Sequence, residues 1–179
     1  MYLLRHGQSA FNAAFNLTRI DPGIADPSLT AAGRRQAEEA AARLAEFGLA
    51  RVVASPYTRA LETASIVAAR LGLPIEIDAL VRERAAFHCD IGTAKGTLTD
   101  RFPALAFDHL DDPWWHDHIA LGVDESEDQL AGRARAFRAR MAGVADRERT
   151  LVVTHWGFIR AVTGRTVGNC EIVPVDWSA

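Results

Sequence analysis

Short apolar runs alternate along this chain with longer stretches in which apolar residues recur every three or four positions. Tyr2-Leu3-Leu4 is one such run, and it stops at the polar Arg5-His6-Gly7, which predicts a brief buried strand feeding a loop. From Thr30 to Phe47 the chain is Ala-rich and is followed by Gly48, the pattern of a helix with a threonine N-cap and a glycine C-cap. Arg51-Val52-Val53-Ala54 reads as a second strand. A helix is predicted to start at Ser55-Pro56, where a first-turn proline forfeits no hydrogen bond, and to run through Leu61, Ala64, Ile66 and Val67 to Gly72. Pro74-Ile75-Glu76-Ile77 then predicts a third strand.

The middle of the chain, from about residue 80 to 122, follows no period and collects histidines, tryptophans, prolines and glycines. It is read as an irregular insertion with short helices. Glu127 to Val144 predicts a helix with Leu130, Ala134, Phe137, Met141 and Val144 on one face, and acids clustered near its positive end. Its arginines, Arg133, Arg135, Arg138 and Arg140, fall on other faces and are read as solvated. Thr150 to Thr154 is the last strong strand and ends in His155, a helix is expected over Trp156 to Thr163, and Ile172 to Val175 is extended. Strands alternating with helices of this length predict an α/β fold: a three-layer α/β/α sandwich around a mostly parallel central sheet. No repeat or linker interrupts it, so residues 1–179 are expected to form a single domain.

Composition narrows the function. The chain has 179 residues, 49% of them hydrophobic, and a formal charge of -3. That balance argues against a nucleic-acid partner held by broad phosphate neutralisation, so an anionic ligand would need a local basic pocket. Cys89 and Cys170 make neither a disulfide framework nor paired zinc spacing, which fits a reducing, cytoplasmic setting. No run approaches the ~20 apolar residues of a membrane span, and Met1-Tyr2-Leu3-Leu4-Arg5 has no signal-peptide layout, so no membrane partner is expected. The chain is expected to act alone or as a homodimer.

In open α/β sheets ligands bind beyond the carboxyl ends of the strands. Three predicted strands end in Arg5-His6-Gly7, in Ser55-Pro56-Tyr57-Thr58-Arg59 and in Thr154-His155-Trp156-Gly157. Two arginines and two histidines therefore converge on one crevice. Guanidinium groups present a fixed fork of donors to tetrahedral oxyanions, and imidazole is nucleophile or donor at neutral pH. Neither a Walker-type loop nor a dinucleotide fingerprint is present, so phosphoryl chemistry here would be run by side chains.

These residues resemble the histidine phosphatase superfamily, also called phosphoglycerate mutase-like. The resemblance rests on Leu4-Arg5-His6-Gly7-Gln8-Ser9 with Asn12, and on Asp26-Pro27-Ser28-Leu29-Thr30 followed by Gly33 and Gln36-Ala37. It continues through Ala54 to Ala64 and closes with Val152-Val153-Thr154-His155-Trp156-Gly157. Order and approximate spacing hold over nearly the whole chain. The resemblance implies that His6 attacks phosphorus and is transiently phosphorylated, that Arg5, Arg59 and His155 hold the phosphoryl oxygens, and that Asn12 contacts the transferred phosphate. It implies no cofactor and no metal. Glu83 sits where the family places its proton-donating acid, with Asp90 as the alternative; Phe87 to Gly92 departs from the commoner family pattern. The other reading of Glu83 is an exposed acid pairing with Arg82 and Arg84.

The implied activity is phosphomonoester hydrolysis on a small phosphorylated metabolite; Phe87, His88, Trp114 and Trp115 offer the shape and stacking to set preference, while Trp114, Trp115, His116 and His118 read equally as packing over the insertion. A mutase-type phosphotransferase is the first rival, disfavoured because mutases of the family generally carry longer closing insertions. A metal-dependent hydrolase built on His88, Cys89, Asp90, His116 and His118 is the second, and a phosphate sensor without turnover the third.

Overall fold

In the computed structural model, which describes residues 1–176, five strands form one sheet in the order β3-β2-β4-β1-β5. The strands are β1 (Tyr2–Arg5), β2 (Arg51–Ala54), β3 (Ile75–Ile77), β4 (Thr150–Thr154) and β5 (Ile172–Pro174). β1 runs parallel to β4, and β2 runs parallel to both β3 and β4; β5 alone pairs antiparallel, against β1. Each core strand ends in chemistry-bearing residues. Because β2, β4 and β1 are neighbours, Ser55, His155 and His6 emerge side by side at one sheet edge.

Helices cover both faces, as the three-layer expectation requires. The helices in chain order are α1 (Ala10–Thr18), α2 (Ala31–Leu44), α3 (Thr58–Leu71), α4 (Lys95–Arg101), α5 (His118–Leu121), α6 (Glu127–Ala142) and α7 (Trp156–Thr163). One core packs Leu4, Val52, Ala54, Leu151 and Val153 against α2 and α3, whose alanines let the helices lie close to the sheet. The opposite core packs Leu3, Val53, Val152 and Val173 against Leu130, Phe137 and Met141 of α6 and Phe158 and Ile159 of α7. Fully burying one such Leu or Phe is worth roughly 1.5–3 kcal/mol, so alternate strand residues anchor opposite layers.

Several boundaries move, each for a local reason. α3 begins at Thr58 rather than at Ser55-Pro56: Tyr57 is the extended N-cap, and Asp26 reaches from another loop to accept from the Thr58 amide at 2.8 Å and its hydroxyl at 2.7 Å. A carboxylate at that helix start replaces the missing side-chain cap. Thr30 does cap α2, accepting from the Gly33 amide, but the helix ends at Leu44; Gly48 has a positive φ of 60° in the loop beyond. Gly72 is the left-handed C-cap of α3, as expected. α1 is an addition, set by a capping box between Ser9 and Asn12.

Arg133 is a correction. Far from being solvated, it is buried and donates to both oxygens of Glu125 at 2.6 and 2.7 Å, and to the carbonyls of Leu80, Arg82 and Glu83. A buried ion pair with every donor used clamps the segment 80–85 onto α6.

Candidate active site

The three neighbouring strand ends open into a cleft of about 470 Å³ that also receives α1, the 83–90 segment and the start of α7. Arg5, His6, Asn12, Arg59, Glu83 and Asp90 all line it. His155 is fully buried immediately beneath, with its ring 5.1 Å from that of His6.

His6 is held in one tautomer. Its Nδ1 lies 2.7 Å from the Gly7 carbonyl, which only accepts, so Nδ1 carries the proton and Nε2 is left with its lone pair. Burial, followed by the charges of Arg59 and Arg5, pushes the imidazole well below its ordinary pKa. A neutral, oriented Nε2 is what a nucleophile needs at neutral pH. The loop that carries it is fixed from two sides: the Gly7 amide donates to Thr63 Oγ1, and Gly33 in the first turn of α2 lies so close that a Cβ on Gly7 would overlap its backbone, as one on Gly33 would overlap that of Gln8.

Arg59 enters from the first turn of α3 and is 2% exposed. Its Nη1 donates to the Cys89 carbonyl at 2.7 Å and its Nη2 to Asp90 Oδ1 at 3.0 Å, while the guanidinium stacks on Tyr57 at 4.4 Å. Asp90 Oδ2 in turn accepts from the Ala86 and Phe87 amides. Asp90 is thus committed to holding Arg59 and the loop. Arg5 uses Nη1 on the Val167 carbonyl and leaves its Nε buried without a protein partner. Asn12 spends Oδ1 on the Ser9 amide and on Asn169 Nδ2, so its own amide N–H₂ is the group left to donate.

Glu83 Oε1 accepts from the Arg84 amide and from the Gly157 amide, each at 2.9 Å. It does not pair with the side chains of Arg82 and Arg84, which turn to Glu125 instead. Burial first, and the nearby Asp90 charge second, raise the Glu83 pKa to about 7. Burial raises Asp90 too, but Asp90 has the Arg59 guanidinium and two amide donors, so it keeps the negative charge while Glu83 keeps the proton. Gly157 is required here: a Cβ on it would overlap Glu83 Oε1.

Two contributors escaped the sequence reading. Ser55 Oγ sits 2.8 Å from His155 Nε2 and also accepts from the Tyr57 amide. A hydroxyl donating to Nε2 places the His155 proton on Nδ1, which is buried and has no protein partner. Asn169 donates from Nδ2 to the His6 carbonyl at 3.0 Å, pinning the loop that carries His6. Ser55 lies in the Ala54 to Ala64 stretch, but only the pairing of β2 with β4 brings it to His155; Asn169 carries no motif and arrives through the loop before β5.

Several expected residues lie elsewhere. Trp114 is 4% exposed, meets Tyr57 edge to face and donates to the Thr93 carbonyl, and Trp115 packs against it; both belong to the core and not to the cleft wall. His88 lies outside the cleft, paired with Asp21, and of the residues expected to set preference only Phe87 lines it. The metal reading is not assembled: His116 bonds the Val123 carbonyl, His118 is buried, and among the described residues no three His, Cys, Asp or Glu side chains group as metal ligands would. Cys89 is a buried thiol that burial raises far above its ordinary pKa, which makes it a poor nucleophile. No helix among the described residues is long and apolar enough to cross a membrane.

The chain is similar to known proteins over nearly its whole length. The family profile described as histidine phosphatase superfamily (branch 1) matches residues 1–171. A glucosyl-3-phosphoglycerate phosphatase from Mycolicibacterium vanbaalenii is 30% identical over 189 residues, covering 98% of this chain and 76% of its own. A probable phosphoglycerate mutase GpmB from Erwinia tasmaniensis is 26% identical over 195 residues, covering 98% and 84%. Among solved structures, a mycobacterial glucosyl-3-phosphoglycerate phosphatase superposes with a TM-score of 0.64 at 24% identity, over 96% of this chain and 87% of that one. YhfR of Bacillus stearothermophilus superposes at 0.60 with 28% identity, over 91% and 77%.

Proposed function

This chain belongs to the histidine phosphatase superfamily, and from that premise we propose that it hydrolyses small phosphomonoesters through a phosphohistidine on His6, without a metal. The observation that carries the reading is the His6 tautomer, neutral and aimed by the Gly7 carbonyl, between two arginines with donors to spare. Nε2 attacks phosphorus in line with the leaving oxygen. Arg5, Arg59, His155 Nδ1–H and the Asn12 amide take up the charge spread over the phosphoryl oxygens. Protonated Glu83 gives its proton to the departing alkoxide, and the resulting carboxylate deprotonates the water that cleaves the phosphohistidine.

Relatives' names divide between a phosphatase and a mutase. Hydrolysis is favoured because, among the described residues, nothing between Asp90 and Glu127 lines the cleft. The insertion that would have to close over a retained intermediate packs against the core instead, and water reaches the phosphohistidine.

Two consequences can be measured on any phosphate ester the enzyme turns over. Arg59→Ala is expected to lower kcat/KM by roughly 10²–10³-fold, the loss seen when one preorganised oxyanion donor is removed. It also strands Asp90, which is 1% exposed, at a cost of about 3–5 kcal/mol in unfolding free energy. A loss of only a few-fold in the folded fraction would take Arg59 out of the phosphate site. Gly157→Ala is expected to push the Glu83 carboxyl off its amides and cost on the order of 10²-fold in kcat, with little change in KM. An unaffected kcat would remove Glu83 from proton transfer. Phosphate release by wild type with and without EDTA tests the metal-independent reading, which predicts no difference.

A further inference from the structure

Beyond the phosphoryl site the cleft changes character, and the change bears on which alcohol it accepts. Phe11 and Phe15, one helical turn apart on α1, stack at 5.3 Å with their planes 13° apart, and Phe87 closes on them at 5.6 and 5.4 Å. Leu130 and Trp156 line the same cleft. Among the described residues, three aromatic side chains are more than a third exposed: Phe47, Phe87 and Trp156. Phe87, at 41%, and Trp156, at 37%, both line this cleft, so the fold leaves unburied aromatic surface where a leaving group would lie.

The polar groups at the mouth, Asn16 apart, make local contacts of their own. Ser9 caps α1, Arg19 lies over the Phe15 ring, and Arg84 and Arg160 share the Glu127 carboxylate, with Arg160 also over Trp156. A flat ring would break none of these contacts, and it would gain the exposed faces of Phe87 and Trp156.

We propose that the outer half of the cleft selects phosphomonoesters whose alcohol carries an aromatic ring, held between the Phe11–Phe15–Phe87 wall and Trp156. The inference rests on the phosphohistidine reading for the chemistry, but its evidence is the separate aromatic wall. A volume of about 470 Å³ holds a phosphate and one ring system together.

The test compares kcat/KM for 2-phenylethyl phosphate, butyl phosphate, glycerol 3-phosphate and glucose 6-phosphate. All four leave as alkoxides, so recognition is separated from the advantage of an acidic phenol. The phenylethyl ester is expected to exceed each of the others by on the order of 10–100-fold, mostly through KM. Phe87→Ala is expected to collapse that ratio towards one, and Phe87→Tyr to keep it; Phe87 is exposed enough that both variants should fold. Equal constants for the four esters, or a preference for glycerol or glucose phosphate, would overturn the inference even if His6 becomes phosphorylated. Absence of turnover on all four together with absence of phosphohistidine would overturn the phosphohistidine reading itself, and this inference with it.

Discussion

Replacing His6 with alanine is expected to abolish phosphate release, beyond the ~10²–10⁴-fold that loss of a general acid or base produces. The reason is that His6 does what no neighbour can substitute. His155 is the other imidazole in reach, but its Nε2 faces Ser55. Burial and the Arg59 charge also depress its pKa, so it is poised to orient and to donate from Nδ1, with its lone pair turned away from the cleft. The Cys89 thiol is buried and held protonated. Water could attack directly, yet the site has no group placed to activate it on the His6 side. His6→Ala leaves the buried Gly7 carbonyl without its partner, a cost of about 1–3 kcal/mol, so loss of activity is to be read on the folded fraction.

Glu83→Gln is expected to lower kcat by roughly 10²–10⁴-fold and to remove a limb of the pH profile. The amide keeps an oxygen for the Arg84 and Gly157 amides, so the loop stays in place, but it has no proton to give. In the wild type the donating form is the protonated one, with a pKa of about 7, so activity on esters of poor leaving alcohols falls as pH rises through that value. Stability has the same sign. Between the ordinary pKa of 4.5 and about 7 the folded protein holds a proton that the unfolded chain has released, so stability declines as pH rises through that window. The glutamine variant lacks that decline and should melt higher than wild type at pH 8, with the advantage gone at pH 4. Unchanged kcat in Glu83→Gln, with a collapse in Asp90→Asn, would transfer the role to Asp90, although Asp90 is tied to Arg59.

What could be read from the chain follows the range of each interaction. Val152-Val153 and Val52-Val53 are runs of β-branched residues that must be buried on both faces, so their strands and the polar residues at their ends were legible in order. Thr30 and Gly72 signal helix limits within a turn and were read correctly. The start of α3 was not, because its cap comes from Asp26, more than thirty residues away. α1 is short, with only Phe11 fully buried, so its period is weak, although the Ser9 and Asn12 pair marked its start. Arg133 was misread because an arginine among alanines looks solvated until the 80–85 segment folds over it. Residue type alone leaves Trp114 and Trp115 open between a substrate wall and packing, and Tyr57 and the Thr93 carbonyl decide it by drawing Trp114 into the core. The same long-range logic hid Ser55 and Asn169.

The central claim is a covalent bond between phosphorus and His6, and the direct measurement is the mass of the enzyme quenched in alkali during turnover of a generic aryl phosphate. The account predicts one added phosphoryl group, lost on acidification, mapped to the peptide bearing His6 and absent from His6→Ala, with or without EDTA. A phosphoryl group on another residue, or turnover that persists in His6→Ala and vanishes with EDTA, would contradict it.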